Sequence, residues 1–219
     1  MVRKTVFTRD DVIQAGLAVM EKDGLENLSA RRVAEQMGAS TAPVYSNFAN
    51  MDDLVVAVKK AAVELILELT RKEVTNNPFL NMGAGVMEFA RSHPRLYSAL
   101  FHQTNVDCSA GPAFMKDLLE RMAVLPDLAQ LKPVERIILL RKMAIFTHGL
   151  ATEICHGLPP EIKWEDLLNL LDEVGAAILA DAKARSPRTD DDLSRLGSLC
   201  ELPREAPGES PNETRKDAR

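Results

Sequence analysis

Apolar residues return every three or four positions along nearly the whole chain, and runs of Val, Ile and Thr alternating with polar residues are absent. That period lays apolar side chains along one face of a helix, so the pattern predicts an all-α protein. The first helix has a readable start. Thr8 and Asp11 in TRDD have the spacing of a capping box, and Phe7 and Val12 stand where a hydrophobic staple would fix the entering chain. Asp23-Gly24 ends this helix, with Gly24 expected in the left-handed conformation of a helix terminus. A second helix is predicted from Ser29 to Gly38 and a third from near Ser40 to Phe48. Asn50, with Asp53 three residues on, caps a long connecting helix predicted over 50–76, striped with Leu54, Val58, Ala62, Leu65 and Leu69 and broken by Asn76-Asn77-Pro78.

Beyond Pro78 the pattern predicts a second helical unit over 78–185. Phe79 to His93 and Pro94 to Gln103 read as helices, with Pro94 at a first-turn position where its missing N–H costs nothing. Thr104 to Pro112 reads as a loop, and a further helix follows to about Leu125. Two long helices then cover 133–156 and 164–185, separated by the breaker GLPPE. Their apolar stripes run through Ile137, Leu140, Ala144, Phe146, Leu150 and Ile154, and through Leu167, Leu171, Val174 and Ile178. Residues 186–219 are rich in Pro, Asp, Glu, Ser and Arg and poor in large apolar side chains, so this tail is expected to remain disordered.

Within the first 54 residues one constellation stands out. A helix-turn-helix needs a small residue where two helices cross, a glycine in the turn, and a branched apolar residue facing back into the crossing. Ala34, Gly38 and Val44 have that spacing, while Val33, Met37 and Phe48 fill the core side. Arg31, Arg32, Thr41, Ala42, Ser46 and Asn47 are left pointing away from it. Short polar side chains there suit a helix lying in a DNA major groove, where bulk would hold the backbone off the bases. The alternative on these residues alone is an αα-hairpin with an incidental glycine. Pro43 falls in the first turn of the third helix and disfavours helical geometry at Ala42, so an irregular turn is expected.

Composition narrows the classes. The chain has 219 residues, a formal net charge of -5 and 46% hydrophobic residues, enough for a sizeable core. No apolar run approaches the length of a membrane span, and the amino terminus lacks a secretory pattern, so a cytoplasmic location and no membrane partner are expected. Cys108, Cys155 and Cys200 have no C-x-x-C pairing, which argues against a disulfide framework or a tetrathiolate zinc site. His148, Cys155 and His156 lie near one helix face without a fourth ligand, so no metal and no cofactor are expected.

The stretch from Thr8 to Leu54 resembles the DNA-binding domain of the TetR family of bacterial helix-turn-helix transcriptional regulators. Gly24, Ser29, Arg31, Val33, Ala34, Gly38, Ser40, Val44, Tyr45, Phe48, Asn50 and Leu54 match the family's pattern. Two positions depart from it: Asn47 stands where the family usually has histidine, and Met51 where it has a lysine. The resemblance places a DNA-binding domain at 6–54 and an effector-binding and dimerisation domain at 78–185. It implies a base-edge or phosphate contact for Arg31, base contacts for Thr41 and Ala42, and a phosphate contact for Tyr45. Ser29, Arg32, Ser40, Ser46, Asn47 and Lys4, the last in a short basic arm with Arg3, complete the expected DNA face.

The first 60 residues hold eight basic and eight acidic side chains, so the net negative charge sits elsewhere in the chain. A neutral head with local arginines on an acidic body suits selective rather than indiscriminate DNA binding. The function expected from the resemblance is a repressor that a small effector releases from double-stranded operator DNA. Homodimerisation is expected through helices 133–156 and 164–185. Phe89, His93, Tyr97, Phe101, Met115, Met122 and Phe146 are the candidates for an effector pocket, because adaptable methionine and aromatic side chains suit an apolar or aromatic ligand. No catalytic signature is present, which sets an enzyme aside. The alternative kept open is a helical interaction or ligand-binding protein that retains the fold and no longer reads DNA.

Overall fold

A computed structural model describes residues 7–101 and 110–184. Lys4 and the basic arm, most of the predicted 104–112 loop and the 186–219 tail lie outside the described residues. Among the described residues every regular element is helical. The first is α1, Arg9–Asp23, started by the expected capping box: Asp11 N–H donates to Thr8 Oγ1 at 3.2 Å, and the Thr8 amide donates to Asp11 Oδ2 at 2.8 Å. The Thr8 amide and, second, the Thr8 hydroxyl, which also donates to Asp11 Oδ2 at 2.8 Å, hold the Asp11 carboxyl below its ordinary pKa.

The end of α1 differs from expectation. Gly24 has φ 87° but ψ 164°, outside the left-handed helical region, because a 3₁₀ turn at Leu25–Asn27 follows at once and the Asn27 side-chain amide donates back to Asp23 O at 2.7 Å. The second and third helices are α2, Ala30–Gln36, and α3, Ala42–Asn47. Both are shorter than the sequence suggests. Phe48, expected as the last residue of α3, instead turns extended and is pulled into the core.

The connecting helix is α4, Met51–Thr70, capped by Asn50, whose Oδ1 accepts from Asp53 N–H at 2.9 Å. It stops at Thr70 rather than reaching residue 76. The cause is tertiary. Thr70 Oγ1 donates back to Leu67 O at 2.7 Å, and Arg121 donates to both Thr70 O at 2.6 Å and Thr70 Oγ1 at 2.7 Å, satisfying an end carbonyl that would otherwise continue the helix. Gly85, on α5 (Pro78–Ser92), lies so close to Thr70 that a Cβ there would overlap its backbone. Buried Asn81 then clasps the return loop by accepting from Thr75 N–H and donating to Thr75 O.

The remaining helices are α6 (Pro94–Phe101), α7 (Ala110–Val124), α8 (Pro126–Ala129), α9 (Pro133–His156) and α10 (Trp164–Ala184). Ala110 to Pro112, expected in a loop, open α7; α8 has no clear sequence signal beyond Pro126. One apolar core runs from Val12 and Met20 in the head through Leu54 and Ile66 of α4 to Phe89, Leu139 and Leu171. Packing of α1 on α4 and α6 ties head to body, and α5 packs between α4 and α9. Of the predicted stripe on α9 Leu140 is fully buried, beside Ile138, Met143, Thr147 and Ala151, while Ile137, Ala144, Phe146, Leu150 and Ile154 are half-buried, so the buried face is rotated from the one expected.

Candidate nucleic-acid interface and interior cavity

The turn between α2 and α3 is a Schellman motif. Ala39 N–H donates to Ala34 O at 3.0 Å and Gly38 N–H to Glu35 O at 3.1 Å, with Gly38 at φ 63°. Nothing lies within 4 Å of a Cβ built on Gly38, so glycine is required by the backbone angle and not by space. Ala34 and Val44 are buried at the crossing. In the first turn of α3, Thr41 O accepts from both Val44 N–H at 3.1 Å and Tyr45 N–H at 3.4 Å; the Pro43 ring occupies a position that needs no donor.

This geometry sorts the sequence-predicted DNA residues. Ser40, Thr41, Ala42, Tyr45 and Ser46 are exposed, Tyr45 at 61%, an unusual position for a large aromatic side chain. Ser29 caps α2 by accepting from Arg32 N–H at 3.4 Å. Arg31 pairs with Glu35 at 3.0 Å and Arg32 with Asp23 at 3.3 Å. Such exposed pairs contribute about 0–1 kcal/mol, so a phosphate competes readily for either guanidinium. Asn47 does not join the face. Its Nδ2 donates to Pro43 O at 2.8 Å and to Phe7 O at 3.4 Å, tying the end of α3 to the start of the described chain. Arg9, which the sequence reading left unassigned, lies over the Phe48 ring at 4.5 Å, beneath the same unit.

The body holds a half-open cavity of about 780 Å³ bounded by α4 to α10. Its wall is chiefly apolar, with Val63, Met82, Leu100, Phe114, Leu118 and Met143 among its members. Of the pocket candidates read from sequence, Tyr97, Phe101 and Met115 line it. The other four lie elsewhere. Phe89 and Met122 are fully buried in the core, Phe146 packs against that core, and His93 caps α5 with its Nδ1 3.2 Å from Glu21 of α1.

Lys59, Arg141 and His148 are among the polar members of the wall that sequence reading missed. Tyr97 OH lies 2.6 Å from His148 Nδ1. Burial, helped by the nearby Cys155 thiol, pushes the Tyr97 hydroxyl well above the ordinary phenol range. The phenol therefore keeps its proton, and its hydrogen bond with Nδ1 runs in the direction that the His148 tautomer sets. Cys155 is directed at the carbonyls of Ala90 and Pro94 rather than at either histidine of α9. Among the described residues no helix is long and apolar enough to cross a membrane.

A Schellman-turned helix pair with an exposed second helix, set on a helical body with an internal cavity, defines a helix-turn-helix protein with a ligand-sized interior. Residues 12–58 match the family model for bacterial regulatory proteins of the tetR family, and the amino-terminal domain belongs to that family. Over 67 residues the chain is 40% identical to the HTH-type nicotine-responsive transcriptional repressor HdnoR of Paenarthrobacter nicotinovorans, 31% of this chain and 33% of that protein. The chain spans from a third to about half of the curated relatives it matches. The overall fold is similar to that of a tetR-family transcriptional regulator from Streptomyces coelicolor, with TM-score 0.58 and 17% identity over 87% of this chain and 96% of that one. BioQ, solved with its natural double-stranded DNA operator, shares the fold at TM-score 0.50 and 18% identity over 78% of this chain and 99% of that one.

Proposed function

We propose that this protein is a sequence-specific DNA-binding transcriptional regulator, acting as a repressor that a small effector releases from its operator. Two observations support the DNA half: the exposed Thr41, Ala42, Tyr45 and Ser46 on α3, and the tetR-family match of the head. The release half rests on a single helix. Leu54 and Val58 of α4 are buried in the core that continues into the head, while Val56, Lys59 and Val63 of the same helix line the cavity.

An occupant preferring one tilt of α4 biases the position of the head by its differential affinity for the two states. A two-fold assembly through α9 and α10 would set two heads about 34 Å apart on a symmetric operator. Exposed Leu170 on α10, at 41%, supports that face. The name of the HdnoR relative does not carry its effector across, because the shared sequence spans only 67 residues.

The testing experiment is a gel shift with DNA flanking the protein's own gene and a scrambled control, run at two salt concentrations. Selective, salt-sensitive retention is expected. Equal retention of both DNAs, or of neither, would leave the second reading: a ligand-binding helical protein that no longer reads DNA. That reading is favoured by Asn47, engaged inside the protein, and by Met51, which offers no charge at the start of α4.

A further inference from the structure

We propose that the cavity takes an amphipathic organic carboxylate, its ring-bearing apolar body against the aromatic wall and its head on Arg141; this rests on the effector reading above. The Arg141 Nε atom is buried and has no hydrogen-bond partner among the described residues. Leaving such a donor unmatched in an apolar surrounding is costly, the more so when the group is charged. On a guanidinium turned toward the cavity, the edge formed by Nε and one Nη would present two parallel donors, the spacing that the two oxygens of a carboxylate accept.

Charge on the wall has the right sign. Lys59 on α4, only 7% exposed, and Arg141 are the lysine and arginine side chains among the described lining residues. The two lining carboxylates are turned to solvent and engaged elsewhere: Asp127 pairs with Lys183 at 3.3 Å, and Asp172 accepts from Asn77 at 3.3 Å. A buried anion therefore meets cations while the acids stay at the surface. The body of the ligand has its own shelf. Tyr97 and Phe101 lie tilted to one another with centroids 4.7 Å apart, and the His148 ring stacks 5.8 Å from Tyr97 on the same α9 face as Arg141 and Ile145. About 780 Å³ accommodates a drug-sized molecule.

The test is calorimetric titration of the full chain with naphthoate, naphthylmethanol, naphthylmethylamine and naphthyl phosphate, four probes with one body and different heads. Naphthoate is expected to bind at least about tenfold tighter than the alcohol and the amine. Arg141→Gln should abolish that preference, Arg141→Lys should restore part of it, and the alcohol should bind both variants as it binds the parent. Thermal melts of both variants separate a lost head contact from a lost fold. Equal binding of alcohol and carboxylate, a preference unaffected by Arg141→Gln, or tighter binding of the phosphate would overturn the assignment. Binding of none of the four, with neutral Nile red also excluded, would overturn the effector reading itself.

Discussion

Arg121 grips Thr70 by both its carbonyl and its hydroxyl, at 2.6 and 2.7 Å, so a side chain of α7 caps the helix that joins the head to the body. Asp117 and Arg71 complete the cluster, and burial lowers the Arg121 pKa while Asp117 opposes the shift. The end of α4 is thereby fixed to an element that also lines the cavity.

Arg121→Met should therefore destabilise the chain by about 1.5–3 kcal/mol, the usual range for hydrogen bonds made by a charged group. Urea unfolding measures it. Hydrogen exchange at residues 67–72 should rise more than in α1, since the lost contact is local to the end of α4.

On the DNA face, Tyr45→Phe should weaken binding alike on matched and scrambled operators. Arg31→Ala should also relax preference at one base position and lower the salt slope by about one unit. Fluorescence anisotropy on an operator library separates these outcomes, and identical behaviour of the two variants would remove the division of roles.

Met51→Lys adds a cation at the first position of α4. If that helix end approaches phosphate, the slope of log K against log salt should steepen by about 0.9 per subunit and affinity should rise. An unchanged slope would place the end of α4 away from the DNA backbone.

Gly38→Ala should cost about 1 kcal/mol through its φ of 63° alone, because no atom crowds the position. Gly38→Asn should cost less, asparagine tolerating the left-handed region better. Thermal unfolding of the two variants gives the ranking, and equal costs would show that the turn relaxes out of its Schellman geometry.

Local chemistry made part of this structure legible. The Thr8–Asp11 box, the Asn50 cap and Gly38 in its turn act within six residues of sequence, and each appears as read. What escaped is decided across the fold. Nothing near Thr70 in the sequence announces that Arg121 and Gly85 will end its helix there. Asn47 looks like a DNA-facing amide until Phe7 O and Pro43 O are brought beneath it.

The cavity illustrates the same boundary. Met115 and Met122 are chemically identical and share one helix, yet one faces the open space and the other is sealed in the core. Seven residues apart, they share one face two turns from each other; periodicity assigns that face, and which level along it meets a void depends on the spacing of neighbouring helices. Lys59 and Arg141 were overlooked because basic residues on amphipathic helices ordinarily point to solvent.

Gly85 brings the backbones of α4 and α5 together at Thr70, with no room for a side chain between them, and this contact is the natural fulcrum for any tilt of α4. Across the 20 residues of α4, at about 1.5 Å per residue, a tilt of about 5° at that fulcrum displaces the far end by about 2.5 Å. On the proposed release mechanism, a lever of this length would turn a small adjustment around the cavity into a shift comparable with a hydrogen-bond length at the helix-turn-helix head.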